Sequence, residues 1–314
     1  MFKPTVDVII PAYKPDEKLS RLVSMLQQQT YPIAHILIIN TEESYWRPEL
    51  IENMEHVEVF HIPKKEFDHG GTRCLGESLS GADILVYMTQ DAVPADRQLI
   101  RQLICPFQKS NVKASYARQL PDDDCRIIER FTRDFNYPDE SFIKSAEDLP
   151  EMGIKTFFCS NVCAAYDHAV YKELGGFVKR AIFNEDMIYA GKLIQTGYSI
   201  AYQAEAKVIH SHNYSGWQQF TRNFDLAVSQ VQHPEIFAGI KSENEGIRLV
   251  KRTASYLRSI GKSSLIFSLI YMSGCKYLGY RLGRWYRKLP HFLVRFCSMN
   301  KTYWEWADTE ETIS

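Results

Sequence analysis

Three short stretches of this sequence carry residues whose types and spacing could do chemistry. ILVYMTQDAVPAD (84–96) starts as an apolar strand and delivers Asp91 where the strand runs out. A carboxylate there either caps the following helix or, as a hard oxygen donor, ligates Mg2+ or Mn2+ beside a phosphate. Asp96, beyond the break at Val93-Pro94, is the better cap. VIHSHNY (208–214) sets His210 and His212 two residues apart, which turns both side chains to one face of a strand. Such nitrogen donors suit Mn2+ or Zn2+; the alternative is a pair of half-buried imidazoles bonded to backbone. IFNEDMIYAGKLIQTGY (182–198) opens a helix with Asn184 as N-cap and Glu185 and Asp186 in its first turn. The helix dipole alone favours acids there. Facing a cleft, one carboxylate could position a hydroxyl while the other abstracts its proton. Glu147-Asp148 is a rival pair in a loop-like segment, and Asp122–Asp124 reads as a solvated turn.

Two further stretches suit anionic partners. FDHGGTRCLG (67–76) has consecutive glycines before a helix, so Gly70 and Gly71 could bring backbone N–H groups to an anion, with Arg73 adding its fork of donors. The alternative is a glycine turn with a surface arginine. From Gly246 to Trp304 there are twelve Lys and Arg and no Asp or Glu, interleaved with Leu, Ile, Phe, Tyr and Trp. That pattern suits an anionic membrane surface, or helices packed on the main domain with a solvated basic face.

The elements that must position these residues follow from hydrophobic period. VDVIIPAY (6–13), HILIIN (35–40), VEVFHIP (57–63) and ADILVYM (82–88) read as strands, with helices over 17–29 and about 72–80. Near-continuous apolar strands alternating with helices imply a parallel sheet covered on both faces. In such sheets ligands bind beyond the carboxyl ends of the strands, so Tyr13, Asn40–Glu42, the loop at His69 and Asp91 share one rim. Neither GxxxxGK[ST] nor GxGxxG occurs. KASYARQLP (113–121), TFFCSNVCAAY (156–166) and SIAYQAEAKVIHSH (199–212) are further strand candidates, and a domain boundary is expected near residue 240.

The bulk numbers narrow the class. A chain of 314 residues with 45% hydrophobic and 24% charged content is ordinary for a globular protein. A formal net charge of −1 gives no reason to expect nucleic acid, although the basic C-terminal stretch leaves the rest acidic. Seven cysteines without a CxxC pair, and an N-terminus lacking a signal peptide's apolar region, fit a reduced cytoplasmic compartment. No run approaches the roughly 20 apolar residues of a membrane span.

In order along the chain, VIIPAY, QQTYP with ILIIN, HGGTR, YMTQDAVP, YARQLP, ERFTRDFNYP, TFFCSN, ELGGF, NEDM and HSHNYS resemble the family 2 glycosyltransferases, and within them the bacterial rhamnosyltransferases. The resemblance implies an α/β GT-A fold, Rossmann-like, with a mainly parallel central sheet flanked by helices and a C-terminal basic helical appendage. It divides the chain into a catalytic domain over 1–240, with its nucleotide-sugar half to about 112, and a helical segment over 241–314. It implies inverting transfer of rhamnose from dTDP-β-L-rhamnose to a lipid-linked saccharide acceptor, giving an α-L-rhamnoside. Asp186 matches the base. Mg2+ or Mn2+ would sit on Asp91 and His212, with His210 the less close match. Pro11, Ala12, Tyr13 and Glu42 match the nucleotide grip, and Gly70, Gly71 and Arg73 the diphosphate side. Arg118 and Gln119 match the sugar pocket, and Gln90 and Glu185 complete the donor site. Thr89-Gln90-Asp91 keeps only the last acid of the family's DxD-like motif, and Cys74 stands where many relatives have Asn. The implied setting is the inner face of the cell membrane, contacted through the C-terminal segment, with a homodimer left open. A UDP-sugar donor and a noncatalytic membrane-associated scaffold are the alternatives.

Overall fold

The computed structural model describes residues 3–240 and 243–313. The elements run β1 (Val6–Tyr13), α1 (Glu17–Gln27), β2 (His35–Thr41), β3 (Val57–Ile62), α2 (His69–Ser78), β4 (Ile84–Met88), β5 (Val93–Pro94), α3 (Leu99–Ile104) and β6 (Val112–Leu120). There follow α4 (Ile127–Asn136), β7 (Phe142–Lys144), α5 (Leu149–Met152), β8 (Cys163–Asp167), α6 (His168–Glu173), α7 (Glu185–Gln195) and β9 (Ser199–Ile209). The chain ends in helices α8 (Gly216–Gln232), α9 (Pro234–Phe237), α10 (Glu243–Ser259), α11 (Leu265–Arg284), α12 (His291–Cys297) and α13 (Lys301–Ile313).

The residues form two compact units. One holds residues 1–124, 136–179 and 185–211; the other holds 125–135, 180–184 and 212–314. All strands among the described residues lie in the first, in the order β3-β2-β1-β4-β8-β6-β9-β5, with β7 also paired to β9. Strands β3, β2, β1 and β4 are mutually parallel, as their unbroken apolar runs require. Beyond them β8 is antiparallel to both β4 and β6, and β6 is parallel to β9. The core on one face is Val6, Val8, Ile10, Leu19, Leu22, Val23, Ile38 and Val86, all buried. On α2, Gly76 is what lets the helix lie against β1, since a Cβ there would stand 2.4 Å from Ile9 Cγ2.

Three expectations fail locally. TFFCSN is not strand: a single 3-10 turn covers Gly153–Phe157 and β8 begins only at Cys163. The strand expected to reach His212 ends at Ile209. Asp96 does not cap α3; its Oδ1 accepts from Gln98 N at 2.7 Å in the turn before the helix, and the N-cap is Gln98 with no side-chain bond.

The second unit is helical. Gly279 and Gly283 bring α11 onto α8, where a Cβ would stand 2.1 Å from Phe220 O and 2.3 Å from Phe224 O. Its core gathers Ile182, Phe224, Val228, Val294, Cys297 and Trp304. Asp225, buried on α8, accepts from Met299 N at 2.8 Å and Asn300 N at 2.9 Å through Oδ2, tying the chain between α12 and α13 to α8. Among the described residues no helix is long and apolar enough to cross a membrane. Phe267, at 81% exposure, together with Ile270, Tyr277, Leu278, Trp285 and Phe292, leaves a large apolar and aromatic surface on α11, α12 and the turn between them.

Candidate active site

The carboxyl ends of β1, β2 and β4 make one rim because the three strands are parallel and in register, Tyr13 opposite Thr41. Tyr13 projects outward and meets Tyr45 edge-on at 5.7 Å, with Lys14 Nζ 4.6 Å above the Tyr45 ring. Of its neighbours, Pro11 is half-buried and Ala12 buried. Glu42 adopts the left-handed region (φ 66°), and its carboxylate accepts from Lys64 N. Gln90 spends both ends of its amide on Tyr13: Oε1 accepts from Tyr13 N at 2.9 Å, and Nε2 donates to Tyr13 O at 3.0 Å.

Asp91 follows in a turn closed by Ala92 N donating to Thr89 O. The antiparallel pairing of Val93 with Ile209 then carries Asp91 alongside His210, whose Nε2 lies 3.5 Å from Asp91 Oδ2. His210 is buried, and its Nδ1 lies 3.1 Å from Gln119 Oε1. Gln119 Nε2 donates to Tyr137 Oη at 2.5 Å and Ser160 Oγ at 3.2 Å. In the tautomer whose Nδ1–H donates to Gln119 Oε1, His210 turns the lone pair of Nε2 towards Asp91. An imidazole lone pair facing a carboxylate oxygen calls for a positive charge between them, a proton or a divalent cation. The chain then continues through Ser211 to His212, and Asp91, His210 and His212 together offer one oxygen and two ring nitrogens. That mixed set fits Mn2+, and Mg2+ less closely. Gln119 is buried beside His210, and Arg118, its neighbour on β6, is half-buried.

In the glycine stretch the Gly71 N–H is bonded within the chain. Asp68 caps α2, and its Oδ2 takes the Gly71 N–H at 2.6 Å. Gly70 is small because Val178 O lies 1.9 Å from where its Cβ would be. Arg73 does not face outward to a diphosphate. It is buried, donates to His69 O at 2.8 Å and pairs with Glu185 Oε1 at 3.2 Å. The half-buried Cys74 meets Tyr171 Oη and Phe177 O, and burial pushes its thiol up.

Glu185 and Asp186 open α7 as expected, with Asn184 before them in the left-handed region (φ 64°). Asp186 Oδ2 accepts from Asn161 N at 3.2 Å and Oδ1 from Met187 N at 2.8 Å. Burial and then the neighbouring Glu185 charge raise the Asp186 carboxyl to about 7. Burial works on Glu185 the same way, but the Arg73 guanidinium outweighs it with help from His69 and Asn161, and the net shift is downward. A carboxylate that holds its proton until near neutrality is a competent general base. Asn161 was missed in the sequence, where nothing but its place in TFFCSN marks it.

Residues 7–175 match the family described as Glycosyl transferase family 2. The chain belongs to that family. It is 36% identical to the O-antigen chain rhamnosyltransferase RfbN of Salmonella typhimurium, over 95% of this chain and 96% of that protein. It is also 36% identical to the O-antigen chain rhamnosyltransferase WbaN of Salmonella anatum, over 96% of both. Among solved structures it is similar to the mannosyltransferase PcManGT of Pyrobaculum calidifontis in complex with GDP-Man and Mn2+ (14% identity, TM-score 0.56, 99% of this chain and 87% of that one). It is likewise similar to S. aureus TarS 1-349 (13% identity, TM-score 0.53, 90% and 91%). Those two likenesses show the fold, a GT-A arrangement, and the family membership makes the chain a glycosyltransferase.

Proposed function

We propose that the protein is an inverting rhamnosyltransferase of surface-polysaccharide synthesis. It moves L-rhamnose from dTDP-β-L-rhamnose to a hydroxyl of a polyprenyl-diphosphate-linked saccharide and forms an α-L-rhamnoside. The observation that carries this is 36% identity, end to end, with O-antigen chain rhamnosyltransferases. In the step itself the acceptor hydroxyl gives its proton to Asp186 as its oxygen bonds to the anomeric carbon. The bond from that carbon to the dTDP oxygen breaks on the opposite face. Asn161 N and Met187 N each hold one Asp186 oxygen, which fixes the direction of the lone pairs. Tyr13 and Glu42 on the strand rim would grip the nucleotide. Asp91, His210 and His212 would hold Mg2+ or Mn2+, which when bound stabilises the charge developing on the leaving diphosphate.

The exposed aromatic face of α11 and α12 suits a peripheral position on the anionic inner surface of the membrane, where a lipid-linked acceptor is found. Arg281, Arg284, Arg287 and Lys288 lie on the same stretch, and each basic residue near headgroups adds about 1 kcal/mol. The direct test incubates purified protein with dTDP-rhamnose or UDP-sugars and synthetic lipid-diphosphate saccharides, then reads product mass and anomeric configuration. An α-linked rhamnosyl product from the dTDP donor alone is expected; transfer only from a UDP-sugar, or none, overturns the proposal. For the surface, Phe267→Glu with Phe292→Glu should abolish flotation on phosphatidylglycerol vesicles, and unchanged flotation would remove the membrane contact.

A further inference from the structure

The carboxylate pair at the start of α7 is asymmetric in a way the base assignment does not use. Glu185 is 7% exposed, with Oε1 held by Arg73 Nη1 at 3.2 Å and by Asn161 Nδ2 at 3.3 Å. The rest of the Asn161 amide is also committed: its Oδ1 accepts from Tyr166 Oη at 2.8 Å, while its backbone N donates to Asp186. Tyr166 in turn is fully buried, edge-on to Tyr87, Phe177 and Tyr189. One oxygen of this carboxylate is therefore committed within the fold to two neighbours, and little of the residue is exposed. Resting on the reading of Asp186 as the base, we propose that Glu185 is a positioning residue rather than a donor or acceptor ligand. Clamped by Arg73 and Asn161, it holds Asp186 as the proton acceptor through its fixed charge and through Asn161.

The titratable groups facing this pair within the unit are Arg73 and His69 from α2, Cys159 before β8, and Tyr166 on β8. Burial pushes the Cys159 thiol up to about 12 and the Tyr166 phenol well above its ordinary value, so both stay neutral near pH 7. The fixed charges are therefore Glu185 and Arg73. Two opposite perturbations follow. Glu185→Gln removes the negative neighbour and leaves Arg73 facing Asp186, so the base ionises more easily. Arg73→Gln leaves two close carboxylates to share a proton, so the pair gives it up later.

The test is the pH dependence of kcat/KM for both variants with dTDP-rhamnose and a lipid-diphosphate saccharide. The acid limb should move down by about one pH unit in Glu185→Gln and up by a similar amount in Arg73→Gln. Arg73→Lys should keep it in place, and donor KM should change less than about threefold in all three. Opposite displacements cannot arise from general loosening of the fold. A fixed limb with a raised KM in either glutamine variant would make that residue a substrate ligand and overturn the proposal. If Glu185→Gln fails to fold, the contrast between Arg73→Gln and Arg73→Lys decides on the same criterion. Asp186→Asn is the separate control: near-normal activity there would remove the base reading itself.

Discussion

Asp91 and Asp186 are the same side chain at the end of a strand and the start of a helix, and they face opposite neighbours. Asp91 looks at the ring nitrogen of His210, held by Gln119 so that its lone pair points inward. Asp186 looks at another carboxylate, itself neutralised from behind by Arg73. The sign of the neighbour sorts the roles. A nitrogen donor beside a carboxylate invites a cation, whereas a like charge in a desolvated corner makes a carboxylate hold a proton. Asp225, in the helical unit, is a third case: it has backbone N–H partners, and among the described residues no ionised side chain is bonded to it.

Three measurements would break or sharpen this contrast. The largest effect belongs to Asp186→Asn, which should cost about 10²–10⁴ in turnover, the usual contribution of a positioned base, with dTDP affinity kept. Loss of less than a few-fold would place the base elsewhere. Next is Gln119→Leu, which strips the Nδ1 partner from His210. Removal of such an outer partner weakens metal binding about 10- to 100-fold, read by Mn2+ titration of activity. The acid limb of kcat/KM, expected near pH 7 with Asp186 as the base, should stay in place. A moved limb with unchanged Mn2+ affinity would mean the two corners are not separate.

The smallest effect concerns Asp225, which burial raises to about 6 from an unfolded value of 3.8. A raised carboxyl favours the fold while protonated. Its contribution is full below about pH 3.8 and lost as pH rises through about 6. Asp225→Asn carries no such dependence. Its melting temperature should therefore gain a few degrees on wild type between pH 4 and about 7, and a gap independent of pH would contradict the assignment.

The parallel half of the sheet was legible because β1, β2 and β4 are buried on both faces, and such strands must be written as apolar runs. The acid pair of α7 was legible for a similar local reason, a cap position followed by two acids before an apolar helix. TFFCSN was misread because an aromatic, buried 3-10 turn has no period that separates it from a strand. With that segment went Asn161, whose contacts to residues 185 and 186 no local pattern announces. Arg73 misled for a related reason. Beside two glycines it looked like an anion site, yet its partner Glu185 lies more than a hundred residues further on. The two histidines were assigned one face by strand alternation, but the strand stops at Ile209, so alternation says nothing of His212.

The amide of Gln90 has a thermodynamic consequence. By exchanging two hydrogen bonds with the main chain of Tyr13, it acts as one more rung of sheet between β1 and the turn that carries Asp91. An acid at that position could accept from Tyr13 N but could not, while ionised, donate to Tyr13 O. Glutamine thus replaces a charge with a brace. Ordering a residue's backbone costs about 1–2 kcal/mol, and here much of that cost is met when the chain folds. On the proposed reading of this rim as the nucleotide grip, the edge is ordered before any donor arrives, and that freedom no longer has to be lost on binding.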